Sequence, residues 1–586
     1  MSFAALRNAR KTRDSKSVLK PPTRLDSGGE SSQHSVHPIT SAWPVASSDP
    51  YSLPETLNIR LSPHAGRTLV AQSAFRRGQV ILAMKPHTHV LSNQHIASFC
   101  ATCGSPSTHT ATLKRCSGCA VTHYCSSNCQ TADWKHHKVE CGDLAQWAKE
   151  VGDEKLRVPD EAVRCLGRML RSRKRNGPDS SWTNQVAAMQ SLRSSLPPSS
   201  AESHTRLAHS VVKYLRLRGP QDLSLYGIGS AGDLVDVVSR FTTNSFTLSS
   251  PSLDPIGVCV SPGLALANHS CAPNAVVVFP RHADTPRERE PVMALVALCD
   301  MAPGDEILTS YIDISQPRHL RQSQLLGTYG FTCTCTLCST TSEALPDARW
   351  CVLCPRNCGG RCSLPNPNHF QDEAEAVVCN TCKASYPVEA REDLLDRIRI
   401  GDEALQKATV LQDSDPSKAL SLTKGSLSLL TALVPPSSHP VLGLLRLHVS
   451  ILIATGALDG QDANANPLLD EAIDTAMRSQ SGMQDAFPVG HPVRGVALAE
   501  LGKMLAVDVP QDAIPRKIDD SKAVPPPGVG RLRLAVKTLV HARAELAVGF
   551  GGGNSEIVQV VEEMMKSIER ELDVWNAGLR NIRNTS

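Results

Sequence analysis

The chain has 586 residues, enough for about three or four domains of ~150 residues each. With 41% hydrophobic and 20% charged residues it has the composition of an ordinary soluble protein, and a formal net charge of +4 is too small to imply a nucleic-acid surface. No apolar run approaches the roughly 20 residues that a membrane span requires, and no apolar h-region opens the sequence, which argues against a secretory signal. The 20 cysteines are therefore expected in a reducing compartment, where clustered Cys-x2-Cys pairs read as zinc ligands and not as disulfides.

Residues 1–56 are read as a disordered basic tail rich in Ser, Pro, Lys and Arg; a mitochondrial presequence is the rival reading of the same composition. From Leu57 to 99 the pattern changes to short strands. Leu69-Val70-Ala71 and Val80-Ile81-Leu82 are apolar runs, each preceded by a glycine, Gly66 and Gly78. This β unit is interrupted by a cysteine cluster over 100–141. Residues 142–240 read as mostly helical, with Leu166–Leu170 and Val211–Leu215 as typical pieces. Strand signals return over 241–314, in Val276–Phe279 and Ala294–Leu298. A second cysteine group lies within 315–340, and a third Cys-rich patch within 341–389. From 390 to 586 the pattern is helical. There His439-Pro440-Val441-x-Gly443 recurs 52 residues on as His491-Pro492-Val493-x-Gly495, which suggests stacked helical hairpins of a repeat type. The fold class is α+β: one β domain split into two segments, with insertions, followed by a helical C-terminal domain.

The first cluster reads Cys100-x2-Cys103, Cys116-x2-Cys119, Cys125-x3-Cys129 and His137-x3-Cys141. Eight such ligands make two tetrahedral zinc sites with no open position, hence structural. His137 and Cys141 lie four apart, so one helical face presents both. A segment this short cannot build much core, and metal binding would supply its folding energy. Together with Tyr124 and Asp133-Trp134, this run resembles a MYND zinc finger. The resemblance implies interleaved sites: Cys100, Cys103, Cys125 and Cys129 on one zinc, and Cys116, Cys119, His137 and Cys141 on the other. It also implies a finger that binds proteins, often Pro-rich peptides, with direct DNA binding unexpected.

Asn268-His269-Ser270-Cys271-Ala272-Pro273-Asn274 is a polar, turn-rich stretch before a strand. Downstream come Asp305–Tyr311, then Tyr329-Gly330-Phe331, then Cys333-x-Cys335-x2-Cys338. This series resembles the second half of a SET methyltransferase domain with its post-SET cysteines, and Ser62-Pro63-His64-Ala65-Gly66-Arg67 resembles the start of one. A SET domain split by a MYND finger is the arrangement of the SET-and-MYND family of protein lysine methyltransferases. The likeness covers about residues 57–340 and extends loosely into the C-terminal region, where it implies a helical array similar to tetratricopeptide (TPR) repeats.

What the resemblance implies for single residues is as follows. Gly66, Arg67 and Asn244 would contact S-adenosylmethionine, Asn268 and His269 would cradle its amino-acid part, and Phe331 would pack on its adenine. Tyr311 would place its hydroxyl at the point of methyl transfer. Phe246 and Tyr329 would wall the lysine channel. Cys271 would join Cys333, Cys335 and Cys338 around a third zinc. Family members usually carry a second glycine where this chain has Thr68, and a Cβ there would restrict the turn and weaken cofactor binding.

The chemistry needs these residue types. Methyl transfer from a sulfonium to an amine is an in-line displacement, so alignment supplies much of the catalysis. The nucleophile is neutral lysine, whose free pKa of about 10.4 opposes that form at pH 7. An apolar channel beside a cationic sulfonium lowers that pKa. Aromatic walls stabilise the cationic amine and its methylated product.

In the 341–389 patch, Cys379-x2-Cys382 is the firm half of a fourth metal site. Cys354 and Cys358 are the preferred other half, with Cys351 and Cys362 as competitors. Cys165, Cys259 and Cys299 sit among apolar residues and are read as core. The expected activity is S-adenosylmethionine-dependent transfer to a protein lysine, in a histone or a non-histone protein. The alternative is a non-enzymatic scaffold that joins partners through the finger and the helical array. Nuclear and cytoplasmic residence is the family-level expectation.

Overall fold

The computed structural model describes residues 51, 53–62, 66–108, 112–151, 156–339, 346–365, 377–455, 465–507 and 524–585. The basic tail at 1–50 and Pro63, His64 and Ala65 of the first motif lie outside the described residues. No helix among the described residues is long and apolar enough to cross a membrane.

The chain opens with an antiparallel hairpin, β1 (Leu57–Ser62) and β2 (Gly66–Ala71), in register from Leu57 opposite Ala71 to Ser62 opposite Gly66. Strands β3 (Val80–Met84) and β4 (Thr88–Leu91) follow, then the small finger ladder β5 (Lys114–Arg115) and β6 (His123–Tyr124). Helix α1 (Ser127–Glu150) is capped by Ser126, whose hydroxyl accepts from the Cys129 amide. The inserted helices are α2 (Glu161–Asn176), α3 (Ser181–Ala188), α4 (Pro198–Leu215), α5 (Pro220–Ser224) and α6 (Ala231–Asn244).

Six more strands return the chain to the sheets: β7 (Ser245–Ser249), β8 (Pro255–Val260), β9 (Asn268–His269), β10 (Ala275–Val278), β11 (Met293–Ala297) and β12 (Leu308–Thr309). Two three-stranded sheets mix the separated segments, in the orders β10-β11-β3 and β4-β8-β7. In each of these two sheets a strand from before the finger pairs with one from beyond the helical insert: Met84 lies opposite Met293 and Thr88 opposite Val260. The strands expected at Val276–Phe279 and Ala294–Leu298 each begin and end one residue earlier. Leu298 stands just past the strand, where its amide still donates to the Asn274 carbonyl, 2.8 Å away.

The remaining elements are α7 (Arg318–Tyr329), α8 (Thr336–Ser339), the hairpin β13 (Cys351–Leu353) and β14 (Arg361–Ser363), and seven helices: α9 (Val388–Leu411), α10 (Pro416–Leu430), α11 (Val441–Ala454), α12 (Ala465–Ala486), α13 (Pro492–Leu505), α14 (Val529–Gly549) and α15 (Glu556–Thr585). Each of these seven packs on the next. Both His-Pro-Val motifs stand at helix starts, but differently: Pro440 precedes α11, whereas Pro492 is the first residue of α13.

Strand β11 shows where the C-terminal helices sit. Met293, Leu295 and Ala297 face the core built by the first strands and inserted helices, while Ala294 and Val296 join a second core with Leu498, Ala542 and Phe550. Alternation along a strand sends neighbours to opposite faces, and here both faces are covered. Of the three cysteines read as core, Cys165 and Cys259 are buried, but Cys299 is exposed. It follows β11 directly, where the chain has left the sheet for a surface turn.

Candidate functional site

The polar stretch at 268–274 crosses the chain leading to Tyr311. Strand β9 pairs in parallel with β12, with Leu308 opposite Asn268 and Thr309 opposite His269, and the Ser270 amide continues the ladder to the Thr309 carbonyl at 2.8 Å. Asn274 locks the crossing from the other end. Its Nδ2 donates to the Glu306 carbonyl at 2.8 Å, and its Oδ1 accepts from the Leu308 amide at 2.8 Å. Asn268 donates to the Arg67 carbonyl (3.1 Å) and to Glu306 Oε1 (3.0 Å), which ties the crossing to the β1–β2 turn.

That turn depends on Gly66, at φ +67° with open space where a Cβ would stand. Thr68 does not strain it. Thr68 lies within β2 opposite Arg60, is buried, and sends its hydroxyl to the Arg60 carbonyl at 3.4 Å. Among the described residues of the hairpin positive φ falls on Gly66 and not on Thr68, so the turn restriction expected of a Thr68 Cβ does not arise. The Arg67 guanidinium points away, to the Tyr51 hydroxyl (2.5 Å) and the Ala188 carbonyl, leaving its backbone at the turn.

Tyr311 is at the centre. Its hydroxyl donates to the Ala267 carbonyl at 2.9 Å. Its ring lies 5.3 Å from His269 and 5.0 Å from Tyr329 between centroids, and His269 lies 5.9 Å from Phe331. Burial, reinforced by Tyr329 and Glu306, holds the Tyr311 phenol above its ordinary range. Both His269 ring nitrogens are engaged within the protein: Nδ1 faces the Tyr311 amide at 3.0 Å and Nε2 the Cys271 sulfur at 3.3 Å. An amide can only donate, so Nδ1 is bare and the proton sits on Nε2, facing the sulfur. The ring therefore holds Tyr311, and only the His269 backbone is left to face a cofactor.

Helix α7 delivers the last aromatic. It ends at Gly330 in the left-handed conformation (φ +72°), whose amide closes on the Leu326 carbonyl, and the chain turns to present Phe331. Beyond it, Cys333, Cys335 and Cys338 converge with Cys271, all sulfurs within 4.8 Å of one another. This cysteine cluster shares one small core with Tyr311, Tyr329 and Phe331. Three further residues, which sequence reading missed, support it. Gln322 brackets Cys333 by accepting from its amide (2.8 Å) and donating to its carbonyl (2.7 Å). The fully buried Arg321 donates to Cys338 Sγ at 3.7 Å and so places a positive charge beside the sulfurs. Glu306 anchors Asn268.

Two expected residues lie outside this cluster. Phe246, in β7, packs with the main core instead. Asn244, at the end of α6, donates to the Gln190 and Arg240 carbonyls at 2.8 and 2.7 Å.

In the finger the two interleaved quartets assemble as the resemblance implied: Cys100, Cys103, Cys125 and Cys129, and Cys116, Cys119, His137 and Cys141. His137 offers Nε2 to the sulfurs, and its Nδ1 lies 4.0 Å from Glu140. Glu140 and Asp133 both pair with the buried Arg168 of α2, at 2.7 and 3.2 Å. A fourth quartet joins Cys354, Cys358, Cys379 and Cys382. Cys351 and Cys362 stay outside it, their sulfurs turned to the Ala348 and Leu353 carbonyls. Sulfur-rich donor sets without carboxylates fit zinc in all four places.

This geometry defines a class: a protein of mixed helices and sheets, with two paired segments around a buried tyrosine and four cysteine-rich candidate metal sites. The model of the MYND finger matches residues 100–141. The N-lysine methyltransferase SMYD2-A of Xenopus laevis is 28% identical over 50% of this chain and 62% of its own length, and human SMYD2 is 27% identical over 48% and 60%. The histone-lysine N-methyltransferase ASHR1 of Arabidopsis thaliana is 27% identical over 76% of this chain and 86% of its own. The chain thus spans about three fifths of the two SMYD2 relatives. A solved SET domain of LSMT bound to lysine and AdoHcy aligns at 12% identity over 88% of both chains with a TM-score of 0.29, too weak a likeness to argue from. On the finger and these relatives, the chain is similar to SET and MYND domain-containing lysine methyltransferases.

Proposed function

We propose that this chain is a protein-lysine N-methyltransferase that uses S-adenosylmethionine. The observation that carries this reading is the Tyr311 site: a buried, uncharged phenol ringed by His269, Tyr329 and Phe331, closed behind by a cysteine quartet, and tied through Asn268 to the open glycine turn at Gly66.

The residues present fit the cofactor. Gly66 and the Arg67 backbone offer an uncrowded turn, Asn268 and the His269 backbone lie beside it, and Phe331 gives an aromatic face. Bound there, S-adenosylmethionine would supply an electrophilic methyl on a sulfonium. The chain's own part is alignment and exclusion of water. Tyr311 orients the incoming amine with its hydroxyl, and the Tyr311–Tyr329 pair provides aromatic walls that favour a cationic product. The same reading keeps Asn244 as a cofactor contact and Phe246 as a wall of the lysine channel, although both lie outside the Tyr311 cluster.

The same reading makes the finger a docking module for proline-rich peptides, and the C-terminal helices a TPR-like array beside the substrate groove. It takes a histone or another nuclear or cytoplasmic protein as substrate. The curated relatives' names support the lysine chemistry and leave the substrate open. Calorimetric titration of zinc-loaded protein with S-adenosylmethionine tests the core claim. One-site micromolar binding, with label transferred to protein lysines and turnover cut at least tenfold in Tyr311→Phe, is expected. Absence of binding would leave the scaffold reading.

A further inference from the structure

We propose that Cys354, Cys358, Cys379 and Cys382 hold a structural zinc ion that clasps the C-terminal helices to the segment carrying Tyr311. The inference does not depend on the methyl-transfer reading.

The four sulfurs lie within 4.8 Å of one another, with Cys354 3.4 Å from Cys382 and Cys358 3.5 Å from Cys379. A second, independent feature is the backbone. After the second cysteine of each Cys-x2-Cys pair of the finger the chain takes positive φ, at Gly104 (+65°) and Ala120 (+56°). After the second cysteine of each pair in this patch it does so again, at Gly359 (+81°) and Lys383 (+59°). The amides of Gly104, Ala120 and Lys383 all return to the carbonyl of the first cysteine, at 2.9, 3.0 and 3.2 Å.

Amides also point at the sulfurs in both places. Val121 donates to Cys119 Sγ at 3.4 Å, Thr381 to Cys379 at 3.4 Å and Arg356 to Cys354 at 3.3 Å. Such donors favour the thiolate, which is the metal-binding form. Lys383 carries a Cβ in a conformation that L residues rarely adopt, and such strain persists only where the surroundings over-determine it. Four sulfurs leave no open coordination position, so the site is structural and not catalytic.

What the site fastens follows from its neighbours. On one side Arg349 donates to the Ile314 carbonyl at 2.7 Å, three residues past Tyr311. On the other it donates to the Ala486 carbonyl at 2.6 Å, at the end of α12. The Cys351 amide reaches Ser438 Oγ at 3.0 Å, the Leu353 amide reaches the Leu433 carbonyl at 2.8 Å, and Arg361 pairs with Asp485 at 2.6 Å. Arg349 and the hairpin β13–β14 that follows it carry these contacts, and a backbone β-bridge between Cys362 and Cys379 joins the hairpin to the second cysteine pair. So short a hairpin cannot hold this shape by its own core, and metal binding would supply the order.

The test uses the full chain. Elemental analysis of the purified protein is expected to give four zinc ions per chain, falling to three in Cys379→Ser/Cys382→Ser. In that variant, amide exchange should speed up tenfold or more at 349–353, 433–442 and 483–487, while the finger helix α1 keeps its protection. Three zincs in the parent chain, an unchanged count in the variant, or unchanged exchange would each overturn the clasp. Should the variant fail to fold, the parent chain is titrated with a competing chelator. Cys358 is exposed, so the first zinc released is expected to coincide with loss of protection in these same segments. Loss starting in the finger, with the clasp segments still protected, would overturn the proposal.

Discussion

At the scale of single residues, His269 matters more than its place in a short polar motif suggests. Its ring joins a cysteine of the third quartet to the backbone of Tyr311. His269→Ala leaves the Tyr311 amide without a partner, which costs about 1–3 kcal/mol where the group stays buried. We expect a lower melting temperature and, because small misplacements of reacting groups are expensive, a fall of about 100-fold in kcat. Loss of kcat with little change in cofactor affinity would support the positioning role; lost affinity with kcat retained would return His269 to the cofactor cradle. Tyr311 gives a second expectation. Its phenol is raised above the ordinary value of about 10, so it stays protonated through neutral and mildly alkaline pH. Turnover should therefore rise with pH as the substrate lysine loses its proton, with no fall from Tyr311 ionisation below about pH 10. A descending limb near pH 8 that disappears in Tyr311→Phe would contradict this.

At the scale of elements, the finger is joined to the helical insert by buried charge. Burial alone would raise the Glu140 carboxyl, but Arg168 and His137 overcome it and hold Glu140 below the usual carboxylate range. Arg168 on α2 also holds Asp133, and the Tyr124 and Tyr214 hydroxyls donate to Asp133 and Glu140 at 2.9 and 3.2 Å. Removing one partner of such a set strands the others: Arg168→Met should destabilise the protein by about 3–5 kcal/mol, read by denaturant unfolding. A loss under 1 kcal/mol would show that water enters and screens the joint. Gly551, just after α14, makes a closer test of how helices meet sheet. It has φ +77°, and an added Cβ would come 2.5 Å from Val80. Gly551→Ala should cost about 2 kcal/mol or more, through the left-handed backbone and overpacking together. Gly553→Ala, with open space at its Cβ, is the control expected to change little.

At the scale of the whole molecule, the sequence by itself determined the chemistry-bearing parts. Cysteine spacing marked the finger, and the order Asn268-His269, Tyr311, Tyr329-Gly330-Phe331 and Cys333 marked the site, because metal ligation and tight turns demand particular residues at fixed local intervals. Apolar runs located β10 and β11 to within one residue, because burial on both faces leaves a continuous apolar string. Tertiary structure alone decided which distant groups meet. Nothing local to Arg321, Gln322 or Glu306 shows that they support Cys338, Cys333 and Asn268, since each contact is made by chain crossing. Whether Cys351 and Cys362 or Cys354 and Cys358 join Cys379 and Cys382 was likewise settled by which sulfurs the hairpin turns inward. Cys299 was misread as core because apolar neighbours in sequence do not ensure burial where a strand ends in a surface turn. The covering of the β10-β11-β3 sheet by the C-terminal helices was equally invisible, because hydrophobic periodicity records that a face is buried and says nothing of what buries it.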